Sequence, residues 1–476
     1  MLGLHVPKNL IWRVVKGSLS ELSSRGSLAT ARGPCRSRTF HGLAIGSHSS
    51  TRLDGLATAH GPCRSRTFHG LAIGTHSPTR PEGLAVCDMK ELHFTNDFMS
   101  RSTEYQGMIA YCVPTIDLVD GMRPKGGSWI EATLPLKSSV HMRESMVSFI
   151  GKKVRYGKLF EVIDAIAADV SYKHIGVGEN KETKDVTIVT ACVDGMIAKS
   201  DIKSDEDLTI QAFMTYAGRS SMEIHVNLLQ SDEIVASTQF IMVAQREGKS
   251  WAVPGLAAFS DEERVEHTKG RERAAQRKEK SASSLELKPP QPEEVGVMHS
   301  MYLLEKEASK SEKDHPRNIA SKKYLYMKDS IVDSTYVMHK QQRNIHNKIF
   351  GGELMRIAFE MAFICARCYA GTDMCHFYAI DDISFLKPVN IGAIMDFVGK
   401  VIYSRGRYIV IQVDVWELSP DGHGRQSKTN QLTYIFEGND DGTELPQVLP
   451  QRYEEMVLYV NGKRSFDSCF KDGYPK

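Results

Sequence analysis

The amino-acid sequence predicts an α+β protein in which one arrangement of elements occurs twice. In each copy, apolar residues recur at helical spacing directly after a glycine, which is Gly157 in the first copy and Gly352 in the second. Several β-rich runs follow each helix, and a glycine-containing turn joins two of them. The helix glycine precedes the turn glycine by 61 residues (157 to 218) in one copy and by 54 residues (352 to 406) in the other. This order indicates two domains of similar architecture.

The elements of the two copies correspond in kind. The first helical segment, KLFEVIDAIAADV, places five aliphatic residues on one side: Leu159, Val162, Ile163, Ile166 and Val170. Its strands are predicted over residues 185–198, 207–217, 220–230 and 233–245. The second helix runs through a more apolar segment that includes Leu354, Ile357 and Met361, and its strands are predicted over 377–389, 393–404, 408–418 and 427–437.

The whole chain divides into six predicted segments. The two α+β domains are assigned to residues 141–255 (the first domain) and 329–445 (the second domain). The remaining segments are a region outside the fold, an approach segment, a charged and Pro-rich linker and a C-terminal tail, over residues 1–85, 86–140, 256–328 and 446–476. The charged part of the linker is interpreted as a solvated, exposed helix.

The N-terminal region has the composition of a mitochondrial transit segment. Residues 1–80 contain eleven Lys or Arg and only two acids, Glu21 and Asp54, with frequent serine. The alternatives are a disordered basic tail and, less favoured, a nucleic-acid-binding arm. The segment GPCRSRTFHGLAIG occurs at 33–46 and again at 61–74, an offset of 28 residues, and is interpreted as a duplicated part of this region because two copies are too few for a solenoid.

Composition and missing motifs exclude several classes of protein. No apolar run is long enough for a transmembrane helix, and the net charge of +2 favours no nucleic-acid partner. Nine dispersed cysteines indicate a reducing compartment rather than a disulfide scaffold. Cys365-x-x-Cys368 has metal-like spacing, but core packing is favoured, so no metal is expected. The serine-hydrolase elbow G-x-S-x-G, phosphate-binding loops and H-E-x-x-H are absent.

Three segments carry a resemblance to a known family. Residues 344–355 read Asn-x-x-Asn-x-x-Phe-Gly-Gly-x-Leu-Met, residues 381–392 read DDISFLKPVNIG, and the chain continues to LPQVLPQRYEEMVLYVNGKRSF. In this order and spacing they resemble the acyl-CoA thioesterases, and specifically the mitochondrial branch with two hotdog domains. The resemblance implies a double hotdog fold, in which a curved antiparallel sheet wraps a long helix in each domain. It also implies an acyl-CoA substrate, no cofactor, a homo-oligomer and a location in the mitochondrial matrix.

The resemblance also indicates where a catalytic carboxylate is expected. One family position precedes the glycine motif, but this chain has Lys348 there, and Lys153 in the first copy, so neither can act as a base. The other position lies seven residues beyond the second glycine, which is Asp164 in the first domain. In the second domain that residue is Phe359 and the acid is the next one, Glu360. We therefore predict Asp164 and Glu360 as catalytic. Alternatively, Asp164 is solvated and Glu360 pairs with Arg356.

Further site residues are predicted around these acids. Asn344 and Asn347 are expected to orient water or the thioester carbonyl, although helix capping is an equal alternative for Asn347. His346 is a possible proton carrier, but a structural role is favoured. The backbone at the helix starts, Gly157, Gly351 and Gly352, is expected to stabilise the oxyanion or contact CoA. Four residues at strand turns are candidates for CoA contacts, with ordinary surface positions as the default: Arg219, Ser220, Ser221 and Arg407.

The sequence thus predicts hydrolysis of an acyl-CoA thioester to a fatty acid and CoA at the interface of the two domains. A helix carboxylate activates water, and backbone N–H groups stabilise the oxyanion. The alternative is a non-catalytic sensor or scaffold that binds acyl-CoA, which the two lysines at the first acid position favour.

Overall fold

A computed structural model of the chain describes residues 80–470 apart from short gaps at 82, 88–91, 93–106, 114–115, 177–182, 184, 312–322, 373–374, 421–423 and 439–443. These residues belong to one unit, Ser65–Lys476. The predicted transit segment and its internal duplication lie outside the described residues, except for the last few residues of 1–85.

The first domain contains two α-helices and a run of long strands. Its helices are α1 (Val140–Met146) and α2 (Tyr156–Ile175), and Gly176 ends α2 in the left-handed conformation. Its strands are β1 (Ala85–Val86), β2 (Ile109–Cys112), β3 (Met122–Pro124), β4 (Ile130–Leu134), β5 (Thr187–Ala198), β6 (Leu208–Ala217), β7 (Ser221–Gln230), β8 (Glu233–Arg246), β9 (Lys249–Ser250) and β10 (Gly255–Ala257).

Two helices, α3 (Asp261–Ala282) and α4 (Pro292–Ser311), connect this domain to the second. The second domain has the long helix α5 (Gly351–Ala370), which also ends at a left-handed glycine, Gly371. The remaining elements are β11 (Tyr324–Tyr326), β12 (Val332–Val337), β13 (Cys375–Phe385), β14 (Ile394–Arg405), β15 (Tyr408–Leu418), β16 (Arg425–Gly438), β17 (Gln447–Leu449) and the C-terminal helix α6 (Tyr453–Cys469).

One continuous antiparallel sheet joins both domains. Its strand order is β1-β2-β4-β6-β7-β8-β5-β13-β16-β15-β14-β12, and β9 pairs with β8. The domains meet where β5 pairs with β13, with Asp194 opposite Asp382, and the strand order on either side of this seam is related by a pseudo-twofold axis. Each domain wraps its sheet around one long helix, α2 or α5. This arrangement confirms the predicted α+β class and double hotdog architecture.

The two long helices pack against each other because a glycine on each allows close approach. A Cβ atom on Gly352 would lie 2.7 Å from the Cα of Glu161, and one on Gly157 would lie 3.1 Å from the Cγ of Arg356. A constant shift of 195 residues, from Gly157 to Gly352, also relates Glu161 to Arg356 and Gly176 to Gly371. The Nε atom of Arg356 donates to Glu161 at 2.6 Å, so an ion pair joins the helices near the pseudo-twofold axis.

The sheet extends beyond the predicted domain boundaries. Strand β4 lies in the predicted approach segment, yet it pairs with β6 from Ile130 opposite Ala212 to Leu134 opposite Leu208. The predicted C-terminal tail supplies β17, which pairs with β11, and helix α6, whose buried Phe466 packs against Tyr403. Both segments contain apolar residues that these contacts bury, which explains why they are integral to the fold.

The interpretation of the charged linker as a solvated helix is wrong for one face of α3. Four residues recur along that face and together contact strands β6, β7, β5 and β13 of the sheet: Gly270, Arg273, Arg277 and Lys280. Arg273 and Arg277 both pair with Glu223 of β7, whose side chain is buried, and Lys280 reaches Asp381 of β13. Helix α3 therefore crosses the seam and links the two domains, since its rise of 1.5 Å per residue carries it across successive strands.

Among the described cysteines, Cys87 and Cys112 form a disulfide. Cys87 directly follows β1, and Cys112 is the last residue of β2, the strand that pairs with β1. The dispersed cysteines had predicted no disulfide, and strand pairing at this end of the sheet brings these two together. Cys365 is buried and Cys368 is exposed, and within the described residues no cluster of His, Cys, Asp and Glu could hold a metal. None of the described helices is long and apolar enough to cross a membrane.

Candidate active site

Asp164 lies in the middle of α2 with 2% of its surface exposed, because the second domain covers this face of the helix. Its Oδ2 atom accepts a hydrogen bond from the backbone N–H of Gly352 at 2.7 Å, across the domain interface. Its Oδ1 atom accepts from Thr190 Oγ1 of β5, also at 2.7 Å. Burial raises the pKa of Asp164 to about 6 from 3.8, while these two hydrogen bonds act in the opposite direction. The alternative that Asp164 is solvated is therefore wrong.

The start of α5 faces this carboxylate. A Cβ atom on Gly351 would lie 2.9 Å from Asp164 Oδ2, so only glycine leaves room for the buried acid here. Gly351 is the first residue of α5, and its N–H therefore has no acceptor within the helix. The two backbone N–H groups therefore have different roles. The Gly352 N–H donates to Asp164, whereas the Gly351 N–H lies at the positive end of the helix dipole and does not bond Asp164.

The loop before α5 completes this side of the site. Asn344 Oδ1 accepts hydrogen bonds from the backbone N–H groups of His346 at 2.9 Å and Lys348 at 3.1 Å. Asn347 is exposed and occupies the left-handed turn position, with φ of 56°, because the loop reverses there. Asn344 thus lines the site and shapes its loop, whereas Asn347 does not reach the cavity.

A contact between domains fixes the same loop. The hydroxyl of Tyr172 on α2 accepts from the Ile188 N–H at 3.0 Å and lies 2.6 Å from His346 Nε2. Burial lowers the pKa of His346, which favours the neutral ring, and a neutral Nε2 can accept a hydrogen bond from the tyrosine O–H. The favoured structural interpretation of His346 is therefore consistent with its surroundings.

These groups surround a cavity of about 230 Å³, here called the Asp164 cavity. Its walls come from both domains: Asp164, Ala168 and Thr187–Ala191 from the first, and Asn344, Gly351 and Phe385–Val389 from the second are among them. Two cationic residues, Lys348 and Lys387, also line it. Thr190 and Lys387 were missed from the sequence, because nothing in a β-rich run distinguishes the threonine that faces a helix carboxylate.

Comparison with known proteins connects this geometry to a family. The family model described as Thioesterase superfamily matches residues 346–421, which begin in the cavity loop and include α5. The chain is 31% identical to human mitochondrial acyl-coenzyme A thioesterase 9 over 368 residues, which are 73% of this chain and 80% of the human protein. The chain belongs to the acyl-CoA thioesterase family. Membership confirms the predicted family and the predicted class of enzyme, a thioester hydrolase.

Two further similarities describe the extent of this relationship. Mouse mitochondrial acyl-coenzyme A thioesterase 10 is 31% identical over 363 residues, covering 73% of this chain and 80% of that protein. Among solved structures, an acyl-CoA hydrolase from Staphylococcus aureus in complex with butyryl-CoA and CoA is 24% identical, with a TM-score of 0.29. It covers 30% of this thioesterase and 88% of its own chain.

The thioesterase has a second cavity, of about 390 Å³, at the pseudo-equivalent place where α2 begins. We call it the Phe359 cavity. Glu360, predicted as the second catalytic acid, lines it, but its carboxylate is hydrogen-bonded to Arg155 and lies 3.7 Å from Arg356. The side chain of Glu360 is 35% exposed. Its pairing with Arg356, one of the alternatives considered from the sequence, is therefore present in the structure, and Arg155 adds a second cation.

The shift of 195 residues shows why the two cavities differ. At the positions of Asn344, Gly351, Asp164 and Ala168 the Phe359 cavity has aromatic residues, which are Phe149, Tyr156, Phe359 and Phe363. Phe377 of β13 packs against Phe359 with ring centroids 5.4 Å apart, where Thr190 of β5 bonds Asp164 in the other cavity. Gly157, in the first turn of α2, therefore lies beside aromatic rings and ion-paired Glu360, and no buried carboxylate occupies the position that corresponds to Asp164.

The predicted CoA contacts at strand turns line neither cavity. Ser221 is opposite Val243, which lines the Asp164 cavity, and the neighbouring Ser220 accepts from Ser250 Oγ at 2.7 Å. The backbone of Arg219 accepts from Val253. Arg407 Nε is 2.8 Å from Glu437, which lies opposite His376, a residue that lines the Phe359 cavity. Arg219, Ser220 and Ser221 thus belong to one end of the sheet and Arg407 to the other.

Proposed function

We propose that the Asp164 cavity hydrolyses acyl-CoA to a fatty acid and CoA, with Asp164 as the general base that activates water. The observation that carries this proposal is the buried carboxylate held between Thr190 and the Gly352 N–H, at the interface of two domains. A pKa near 6 leaves Asp164 ionised at neutral pH while keeping it basic enough to take a proton from water. Each carboxylate oxygen accepts one protein hydrogen bond, which leaves lone pairs for that water.

The oxyanion is stabilised by the Gly351 N–H in this proposal. Attack of water on the thioester carbonyl places a negative charge on its oxygen, and a helix N-terminus with a free N–H stabilises such a charge. The Gly352 N–H, which the sequence assigned to the same task, instead orients Asp164. Asn344 uses its Oδ1 to shape the loop, and its amide N–H groups remain as donors toward the carbonyl or the water.

The nucleotide part of CoA is assigned to the cationic mouth of the Asp164 cavity. Lys348 and Lys387 lie there, and ammonium groups pair with phosphates. Lys348 Nζ is already oriented by Asn390 Oδ1 at 2.7 Å. A lysine at the first acid position thus has a role in binding, while the acid is supplied by the other domain. Arg219 and Ser221 lie further out at the same end and are the next candidates for CoA contacts.

The Phe359 cavity is proposed to be inactive in hydrolysis, so that each chain has one catalytic centre. The residue that corresponds to Asp164 in this cavity is Phe359. The carboxylate of Glu360 is paired with two arginines, Arg155 and Arg356. A mitochondrial location is supported by the names of the relatives and by the basic N-terminal composition, and the matrix is our proposal for the compartment. A homo-oligomer of such chains is a further proposal, and no additional cofactor takes part in the reaction proposed.

The test is release of free CoA thiol from acyl-CoA substrates of increasing chain length. Asp164→Asn is expected to lower kcat by about 10²–10⁴-fold, the usual contribution of a general base. Glu360→Gln, its matched control in the other cavity, is expected to change kcat less than about threefold. Hydrolysis by Asp164→Asn at the wild-type rate would contradict the proposed mechanism. Tight acyl-CoA binding by the wild type without any thiol release would favour the alternative of a binding scaffold.

Stability provides an independent reading of the same variant. Asp164 binds its proton more tightly in the folded state than in the unfolded state, so its ionisation opposes folding as pH rises above about 4 and fully so above about 6. The penalty at neutral pH is of the order of 3 kcal/mol. Asp164→Asn is therefore expected to keep or raise the melting temperature at pH 8. A clear decrease would indicate that the carboxylate has a structural rather than a catalytic role.

A further inference from the structure

Four charged side chains meet where the two long helices pack against each other. Each helix contributes a cation and an acid three residues apart, and we call the set the charge quartet: Lys158 and Glu161 of α2, and Glu353 and Arg356 of α5. Within α2, Lys158 Nζ lies 3.3 Å from Glu161 Oε2, and within α5 the guanidinium of Arg356 pairs with Glu353. Between the helices, Arg356 Nε donates to Glu161 Oε1 at 2.6 Å. No side chain of the quartet is more than 19% exposed, so solvent screens these charges little.

The internal repeat relates the members of the charge quartet in pairs of opposite charge. The shift of 195 residues places Glu353 at the position of Lys158, and Arg356 at the position of Glu161. Along α2 the order is therefore cation and then acid, whereas along α5 it is acid and then cation. The two helices thus have the same glycine at their crossing but opposite charges beside it.

This inversion matters because the two helices are related by a pseudo-twofold axis. A residue near such an axis lies against its own equivalent, and Glu161 therefore lies against Arg356. Two first domains packed in the same way would bring Glu161 against Glu161, and two second domains would bring Arg356 against Arg356. Like charges at this distance repel each other, so only a first domain and a second domain are complementary at this crossing.

The ionised form of Glu161 is costly at this crossing. Burial, followed by the nearby Glu353, raises the pKa of Glu161 to about 7, whereas Lys158 and Arg356 act in the opposite direction. The folded state therefore binds this proton more tightly than the unfolded state does, so ionisation of Glu161 adds no net stability. Removing the cations opposite a buried acid is nevertheless strongly destabilising, because it leaves a buried charge without a partner.

The same crossing fixes the register of the catalytic groups. A Cβ atom on Gly352 would lie 2.7 Å from the Cα of Glu161, and the Gly352 N–H donates to Asp164, three residues further along α2. A shift of one helix along the other would therefore lengthen this hydrogen bond. Gln342 also donates to Glu353 at 2.7 Å, which connects the charge quartet to the chain that leads into the cavity loop. The quartet itself lines neither cavity.

We propose that the charge quartet matches α2 of the first domain to α5 of the second, and that its members are positioning residues for the contact between Asp164 and Gly352. The partner that α2 fits is a helix with an acid followed by a cation three residues later, which the second domain provides and the first does not. The proposal goes beyond the proposed function, because the choice of partner helix does not depend on the reaction.

The test is an exchange of charges in the full-length chain at pH 8, where Glu161 is ionised. Reversal of α2 alone, Lys158→Glu with Glu161→Arg, keeps an ion pair within the helix but places two cations at the crossing. We expect the melting temperature to fall by roughly 5–10 °C. We also expect kcat to fall about 10–100-fold with little change in KM, because the catalytic groups are displaced. Reversal of α5 alone, Glu353→Lys with Arg356→Glu, should have the same effects.

The decisive variant combines all four substitutions, which exchanges the charges of the two helices and restores complementarity. It is expected to recover most of the melting temperature and of kcat, but not all, because Glu360 lies 3.7 Å from Arg356 and has no acidic equivalent on α2. The matched control is the exposed ion pair of α6, exchanged by Lys463→Asp with Asp467→Lys, which should change neither quantity.

A four-residue exchange that is no more stable than the single-helix reversals would overturn the proposal, and so would a reversal as stable as the wild type. Reversals that fail to fold, together with an exchange that folds, would support it. The melting temperatures do not depend on hydrolysis. Failure of this proposal is therefore distinguishable from failure of the proposed function, which the rate of Asp164→Asn decides.

Discussion

The two cavities of this thioesterase have the same helical framework and opposite chemistry. In the Asp164 cavity a carboxylate of the first domain faces an asparagine and two glycines of the second domain across the interface. In the Phe359 cavity the corresponding positions hold Phe359, Phe149, Tyr156 and Gly157. The repeat of the fold thus preserves helix packing, whereas the side chains that line the two cavities differ, and under the proposed mechanism only the Asp164 cavity has a base.

The largest effect is expected when the two helix glycines, Gly352 and Gly157, are each replaced by alanine and the losses of stability are compared. In Gly352→Ala the new Cβ atom would lie 2.7 Å from the backbone Cα of Glu161, which cannot move without separating the helices. We expect a loss of about 1–3 kcal/mol in the free energy of unfolding, as for other overpacked sites, and a large loss of hydrolysis. In Gly157→Ala the nearest atom is the flexible Cγ of Arg356, so the loss should be smaller. Urea denaturation measures the free energy of unfolding of both variants. Equal losses in the two variants would contradict the expected difference between Gly352 and Gly157.

A smaller effect, on kcat/KM, is expected when the hydroxyl of Thr190, which donates to the Asp164 carboxylate, is removed. In Thr190→Val the pKa of Asp164 should rise, because the hydrogen bond from Thr190 lowers it. We expect kcat/KM at pH 7 to fall about tenfold and to recover partly at higher pH. Thr187→Val is the control, since Thr187 lines the same cavity without a hydrogen bond to Asp164. Identical pH profiles for the two variants would show that Thr190 does not tune the base.

The smallest effect is expected at Tyr172, a positioning residue. Tyr172→Phe removes the contact between α2 and His346 and leaves the Ile188 N–H unpaired, at a cost of about 1–2 kcal/mol in stability. Because the Asn344 loop is then less fixed, we expect kcat to fall a few-fold with little change in KM. Tyr336→Phe, on an exposed strand of the second domain, should change neither. An increase in KM at constant kcat would assign Tyr172 to substrate binding instead.

Much of this organisation could be predicted from the sequence. The helices at Gly157 and Gly352 and the strands that follow them were predictable. Their apolar residues recur with a clear periodicity, and turn residues mark where the elements end. Asp164 was predicted from its distance from Gly157, and the structure places it buried at the domain interface. The roles of Glu360 and Thr190 were not predictable in the same way, because ion pairing with Arg155 and contact with Asp164 depend on how two distant segments meet.

Other differences have the same physical origin. The basic face of α3 is indistinguishable in sequence from a solvated helix, yet Glu223 and Asp381 on the sheet pair with it. Gly351 and Gly352 are adjacent in sequence, but only the fold assigns the N–H of Gly352 to Asp164. Local periodicity thus predicts elements, while long-range charge pairing and hydrogen bonding decide which residues form the site.

The central claim, that one buried aspartate drives hydrolysis, is tested most directly by the pH dependence of kcat/KM for acyl-CoA. A general base acts when deprotonated, so the account predicts a rate that falls as pH decreases through about 6 and a plateau above it. This ionisation should persist in Glu360→Gln and disappear, together with most of the activity, in Asp164→Asn. A wild-type rate that does not vary between pH 5 and pH 8, or an ionisation lost only in Glu360→Gln, would contradict the account.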